Sequence, residues 1–170
     1  MDQTELKIKI KELTDWAKEQ DQSKIDFVSN DLFLKGSDLS NSDKGELASI
    51  YFEALSELNP KDIYLKKKLA VEYIRIGQLE KARDLLKELF IGNGPEDIRI
   101  GLILGGIYSA MGAHKDSQDI YKKLLAKQYD EDVCVYLARS YVTEKKYDKA
   151  DVLLSDCEKK LKGNPIFSFY

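Results

Sequence analysis

The chain has 170 residues, enough for one domain with a real core. Hydrophobic residues make up 43% and charged residues 34%, and 27 basic against 30 acidic side chains leave a net charge of −3. That balance excludes a disordered or membrane-embedded chain and sets up no basic field that would make nucleic acid the expected ligand. Three prolines and ten glycines leave long helices uninterrupted and argue against a turn-rich all-β protein.

The N-terminus, Met1-Asp2-Gln3-Thr4-Glu5, lacks a basic region followed by an apolar core, so no signal peptide is expected and a cytoplasmic location is. Thr4 to Gln20 is helical by period, with Leu6, Ile10, Leu13 and Ala17 on one face and Trp16 beside them. Ser23 to Lys35 predicts a second helix carrying Ile25, Phe27, Val28, Leu32 and Phe33. Gly36 to Ser42, rich in Ser, Asp and Asn, predicts a loop. Lys44 to Leu58 predicts a third helix with Leu47, Ile50, Tyr51, Ala54 and Leu58 as its stripe.

From there the chain repeats itself. Leu69-Ala70-x-x-Tyr73, Leu104-Gly105-x-x-Tyr108 and Leu137-Ala138-x-x-Tyr141 are followed by Gly77, Gly112 and Lys145 at one shared offset. Then come Ala82 with Leu86 and Leu89, Ser117 with Tyr121 and Leu124, and Ala150 with Leu154 and Cys157. Tyr73 and Tyr108 are 35 residues apart and Tyr108 and Tyr141 are 33 apart, a mean of 34. Small residues at Ala70, Gly105 and Ala138 are expected to face Ala82, Ser117 and Ala150, letting antiparallel helices approach to the short end of about 8–10 Å. Gly77 and Gly112 suit left-handed C-terminal caps, and Asn93-Gly94-Pro95 reads as a junction between repeats. The nearly apolar run Ile100 to Ala113 falls short of the ~20 residues of a membrane span.

This pattern resembles the tetratricopeptide repeat (TPR) family, whose unit is a helix–turn–helix of about 34 residues. The resemblance covers roughly residues 62 to 164. It implies an all-α fold, an antiparallel helix-pair solenoid with a right-handed superhelical path and an N-terminal helical cap. On this reading residues 1–60 form the cap and a degenerate repeat. Residues 61–164 form three repeats (about 62–95, 97–129 and 130–163), and residues 165–170 are a tail or the start of a further repeat. The tail Ile166-Phe167-Ser168-Phe169-Tyr170 is apolar. It is expected to fold back, to dock elsewhere (two copies could pair through it), or to mark an array cut short.

Residues that could carry chemistry read blandly. His114 lies in a turn and is expected to be solvated, and no nucleophile or acid is fixed beside it by the pattern. Cys134 and Cys157 fall on facing helices of one repeat and are expected as buried, inert thiols, not as a disulfide, in a reducing compartment. Lys66-Lys67-Lys68 and Lys159-Lys160 are expected as solvated charge. Gly101-x-x-x-Gly105-Gly106 fits neither a dinucleotide fingerprint nor a membrane helix pair. Close packing accounts for Gly105, and Gly106 and Ser109 open space in a groove. Metal-ligand spacing, a phosphate loop and paired carboxylates are absent, so neither cofactor nor metal is expected and the chain is not expected to be an enzyme.

In the family, first helices line a concave groove that holds a peptide. Carried over, the resemblance implies a groove of Tyr64, Lys67, Val71, Ile74 and Arg75, then Arg99, Leu102, Gly106 and Ser109, then Val135, Arg139 and Val142. The expected partner is a protein or peptide with apolar anchors and some acidic groups. Repeats that clamp the carboxylate tail of heat-shock chaperones use Asn where Val71 and Gly106 stand, so such tails are not expected to bind. The leading functional expectation is an adaptor or scaffold. A small dedicated chaperone, similar to the class II chaperones of type III secretion, and a module of a larger protein are the rivals.

Overall fold

The computed structural model describes residues 2–92 and 97–162, and the described residues are helical with no strand. The helices are α1 (Gln3–Lys18), α2 (Gln22–Asn41), α3 (Gly45–Leu58), α4 (Ile63–Arg75), α5 (Leu79–Gly92), α6 (Ile98–Ala110), α7 (His114–Lys127), α8 (Glu131–Thr143) and α9 (Tyr147–Lys162). The chain divides into two compact units, Met1–Leu85 and Leu86–Tyr170, with the division inside α5. Asn93-Gly94-Pro95 and the tail Ile166–Tyr170 lie outside the described residues.

Helices start and stop for local reasons that recur in register. Asp21, Asp62, Asp97 and Asp130 each accept a backbone N–H in the first turn of α2, α4, α6 and α8. A side-chain oxygen there satisfies a donor that has no partner within the helix. At the other end of these helices the chain turns through one left-handed residue: Asp43 (φ 58), Gly77 (φ 75), Gly112 (φ 76) and Lys145 (φ 59). The following N–H then bonds back across the turn, Lys44 to the carbonyl of Leu39, Gln78 to Tyr73, Ala113 to Tyr108 and Lys146 to Tyr141, at 2.8–2.9 Å. These are Schellman closures, and the helix end they leave has its carbonyls satisfied.

The expected loop at Gly36–Ser42 is not there. α2 runs through it to Asn41, and the turn is confined to Ser42-Asp43-Lys44. The reason is packing. A Cβ on Gly36 would stand 3.1–3.2 Å from the Phe52 ring and Tyr51, so Gly36 is where α2 presses on α3. Tertiary contact here outweighs the weak helix preference of Gly and Ser. Counting back from the left-handed residue, Gly36 holds the position of Ala70, Gly105 and Ala138, and Ala48 that of Ala82, Ser117 and Ala150. The α2–α3 pair thus carries the same small-residue register as the three pairs after it.

In the first unit, α2 packs on α3 and α3 on α4, with α1 against α2 and α3. Its interior includes Leu6, Ile10, Ala17, Val28, Leu32, Ala48, Phe52, Leu55, Leu69, Ala70 and Ala82. Trp16 and Phe27 stay largely exposed. In the second unit, α6 packs on α7, α7 on α8 and α8 on α9. The small residues expected at the pair contacts, Gly105, Ser117, Ala138 and Ala150, are all buried. Gly105, though, is covered by Tyr121 rather than by Ser117: an added Cβ would meet that ring at 2.4–2.5 Å. Gly101 is covered in the same way by Leu124, at 2.7 Å. Tyr147 and Leu154 occupy core positions of the repeat pattern but are exposed on α9.

The expectation of two free thiols is overturned. Cys134 on α8 and Cys157 on α9 form a disulfide, with Cα atoms 6.4 Å apart. In register they stand where Gly101 meets Leu124 in the preceding pair, a point of close approach between paired helices. A Cα separation of this size is within disulfide reach. The placement on facing helices allows the bond, and the expected reducing compartment is the wrong ground for setting it aside.

Two substitutions probe this frame in opposite directions. Ala82→Leu adds volume at a site with no exposed surface. It should lower stability by about 1–3 kcal/mol in denaturant melts followed by circular dichroism. Lys145→Gly should raise stability by a few tenths to about 1 kcal/mol, because glycine takes positive φ without a Cβ clash while costing some chain entropy. An unmoved melt for the first, or a loss for the second, contradicts the turn and pairing described.

Candidate partner-binding faces

The first helix of each pair buries one side in its pair and turns the other outward. On α4 the buried side is Leu65, Leu69, Ala70, Glu72 and Tyr73. The outward side holds Tyr64 and Val71, 58% and 47% exposed, with Lys67 and Ile74 half-buried beside them. Tyr64 leans against Phe33 of α2, ring centroids 6.4 Å apart. Lys68 Nζ sits 5.5 Å from the Phe33 centroid, 5.8 Å from Phe52 and 5.7 Å from Tyr64. Lys68 is therefore held by cation–π contact, not by water as expected for the lysine run. Lys66 and Lys67 are half-buried as well.

Arg75, the last residue of α4, is occupied within the protein. Its guanidinium donates to the Ser40 carbonyl and hydroxyl at 3.0 Å, to Asp43 at 2.9 Å and to Glu72 at 3.2 Å. Glu72 is buried, at 4% exposure, and also accepts from the Ser40 hydroxyl at 2.6 Å. The cluster fastens the α2–α3 turn to the end of α4 and satisfies a carboxylate that would be costly to bury alone. Nearby, Tyr73 donates to Glu53 at 2.7 Å, and burial together with that carboxylate pushes its phenol far above the usual range.

In the second unit α6 and α8 lie side by side. α8 buries Val133, Cys134, Leu137, Ala138 and Ser140, and leaves Val135 and Val142 exposed at 52% and 47%, with Arg139 exposed between them. On α6, Arg99 is exposed, Leu102 and Ser109 are half-buried, and Gly106 is open, with nothing within 4 Å of an added Cβ. Neither Arg99 nor Arg139 forms a salt bridge among the described residues. Ile103 and Tyr136 also reach the surface; the sequence reading missed them although they follow Leu102 and Val135 directly. Behind this face, buried Gln118 of α7 donates to Ser140 at 3.2 Å and to Glu144. The hydrogen bonds from Lys146 first and Gln118 second hold the Glu144 carboxyl below its usual range.

His114 opens α7 half-buried, with Nδ1 shielded from water, and so is not the solvated residue expected. Among the described residues no three His, Cys, Asp or Glu side chains gather to hold a metal, and no helix is long and apolar enough to cross a membrane.

Solved structures share this arrangement. A crystal structure of MamA matches at 14% identity with a TM-score of 0.69, covering 98% of both chains. The chain has the fold of a TPR-like helical repeat protein. MamA residues 41 to the end from Desulfovibrio magneticus RS-1 match at 17% identity and TM-score 0.67, over 92% of this chain and 85% of that one. MamA of AMB-1 matches at 14% identity and TM-score 0.65, over 94% of each chain. No protein-family model matches the sequence, and no curated protein does.

Removing the Arg75 guanidinium should show that it is a structural tie. Arg75→Ala leaves Glu72 buried without its cation and should cost about 1–3 kcal/mol. Glu72→Gln should recover part of that loss in the double variant, read as a denaturation midpoint. Equal stability of Arg75→Ala and the wild type would instead mark Arg75 as a free surface charge.

Proposed function

We propose that the chain is a protein-interaction module, an adaptor or scaffold, that holds an extended or helical segment of a protein partner on the outward faces of α6 and α8. Catalysis is no part of this reading. The observation that carries it is the α8 face: two half-exposed valines bracket an arginine with no salt bridge among the described residues, on a helix whose other side is buried. Open space over Gly106 on the neighbouring α6 gives a partner side chain somewhere to sit. The likeness to the MamA structures supports the same reading at the level of fold alone.

Partner chemistry follows from the side chains. Val135, Val142 and Leu102 favour apolar anchors, each contributing about 1.5–3 kcal/mol if fully buried. Arg139 and Arg99 favour acidic groups and act mainly on orientation and association rate. The acidic first turn of α8, Glu131 and Asp132, sets a direction: the partner's carboxylates belong opposite Arg139, away from that turn. A cytoplasmic location, expected from the sequence, belongs to this proposal. It carries a consequence, because the Cys134–Cys157 bond then meets a pool of reducing thiols.

Synthetic peptides of about twelve residues, with Leu or Phe spaced for one face and Asp or Glu between, test the reading by fluorescence anisotropy. They should bind at micromolar affinity or better, while matched peptides with Lys for the acids should bind at least tenfold more weakly. Gly106→Tyr with Arg139→Glu should abolish binding and leave the helical content unchanged. A heat-shock-type carboxylate tail should bind weakly or not at all. Equal binding of acidic and basic peptides, or full binding by the double variant, would place the interaction elsewhere.

A further inference from the structure

We infer that the Cys134–Cys157 disulfide is a redox-controlled clip that decides whether α9 stays closed on α8. α9 packs on α8, yet Tyr147, Val152 and Leu154 on its surface are exposed, Val152 at 71%. Few apolar side chains hold it: Ala150 and Cys157 are its only buried residues among those described. Compare α7, which buries Ile120, Tyr121, Leu124 and Leu125. The noncovalent hold on α9 is correspondingly small. It is supplemented at the surface by the bond from the Tyr129 hydroxyl to Asp156 at 2.7 Å and by Lys160 Nζ, 5.8 Å from the Tyr129 ring.

The disulfide therefore provides a large share of the closure. It ties residues 23 apart in sequence. Closing a loop of that length is worth, in the chain-entropy account, a factor on the order of 100 in the equilibrium between closed and open. Both sulfurs belong to residues only 2% exposed, so external thiols reach them when α9 opens locally. The step is thiol–disulfide exchange with a low-molecular-weight thiol. A thiolate attacks one sulfur and forms a mixed disulfide, and the other cysteine leaves as a thiolate. A second thiol then displaces the cysteine that remains bound. Two electrons pass to the protein, the two external thiols end as one disulfide, and their two protons end on Cys134 and Cys157. Oxidised glutathione reverses the sequence.

Because α8 carries Val135, Arg139 and Val142 on its other side, release of α9 removes the backing of that face. Redox control of partner capture follows only if the proposed function is right. Control of α9 does not depend on it.

The test uses the full chain and needs no partner. Non-reducing peptide mass mapping after treatment with oxidised glutathione should recover Cys134 linked to Cys157. Hydrogen exchange is then compared for the oxidised protein, the protein reduced with dithiothreitol, and Cys134→Ala/Cys157→Ala. Amides of Tyr147–Lys162 should exchange on the order of 100-fold faster in the reduced protein and the double variant, with α6 and α7 unchanged, and reductant should not alter the double variant. If the variant fails to fold, the reduced wild type alone decides. Failure to form the linked peptide, equal α9 exchange in both redox states, or loss of protection across α6 to α8 as well as α9 would each overturn the inference. Absence of peptide binding by the oxidised protein, with the exchange pattern as expected, would count against the proposed function and leave the clip standing.

Discussion

The structure depends on how closely two helices of a pair can approach. At the contact one helix offers Gly36, Ala70, Gly105 or Ala138, all buried, and at Gly36 and Gly105 a larger side chain from the neighbouring helix occupies the room so made. Where the contact can be read atom by atom, at Gly36 and Gly105, even one methyl group would press on an aromatic ring. Packed interiors do not absorb such volume without moving rotamers or backbone. The pairing in turn sets which side of each first helix is buried. The outward faces are what remains, so the candidate binding residues are fixed by a packing constraint on the opposite side of the same helices.

Left-handed turns make that pairing repeat. Each turns the chain back after a single residue and aligns the small position of one helix with that of the next. Asp43 and Lys145 meet the requirement without being glycine, at a conformational cost that the surrounding bonds offset. Lys146 bonding back to Tyr141 and Lys44 to Leu39 show the same closure as at the glycine turns. The geometry belongs to the turn, and residue type only adjusts its stability.

Much of this was legible in the residues, and the failures have physical causes. Helix periods and the Leu-small-x-x-Tyr spacing located α1 and α3 to α9 closely. Gly36 was misread because glycine and serine signal loops when local propensity is all that is weighed, whereas here a ring from α3 lies over the glycine. The same offset from the left-handed residue would have exposed the register of α2 and α3, but Asp43 does not look like a turn glycine. The aspartates that cap α2, α4, α6 and α8 were also readable, two or three residues before the first bonded amides. The disulfide was missed because compartment was weighed above proximity. Lys68 was missed because no one-dimensional pattern brings Phe33, Phe52 and Tyr64 to a single ammonium group.

Two arginines expected to share one role have different fates, and the difference lies in their neighbours. Arg75 ends its helix beside a turn that presents Asp43 and the Ser40 carbonyl, next to a buried Glu72, and its donors are used there. Arg139 lies mid-helix between Val135 and Val142, with the nearest acidic residues of its own helix a full turn or more away in sequence. A cation whose charge is answered within the fold adds little to recognition. One that keeps its charge beside exposed valines offers a partner both an ionic and an apolar contact. The charge reading of the proposed partner thus rests on the second unit; the outward face of α4 in the first unit, around Tyr64 and Val71, is by itself aromatic and aliphatic.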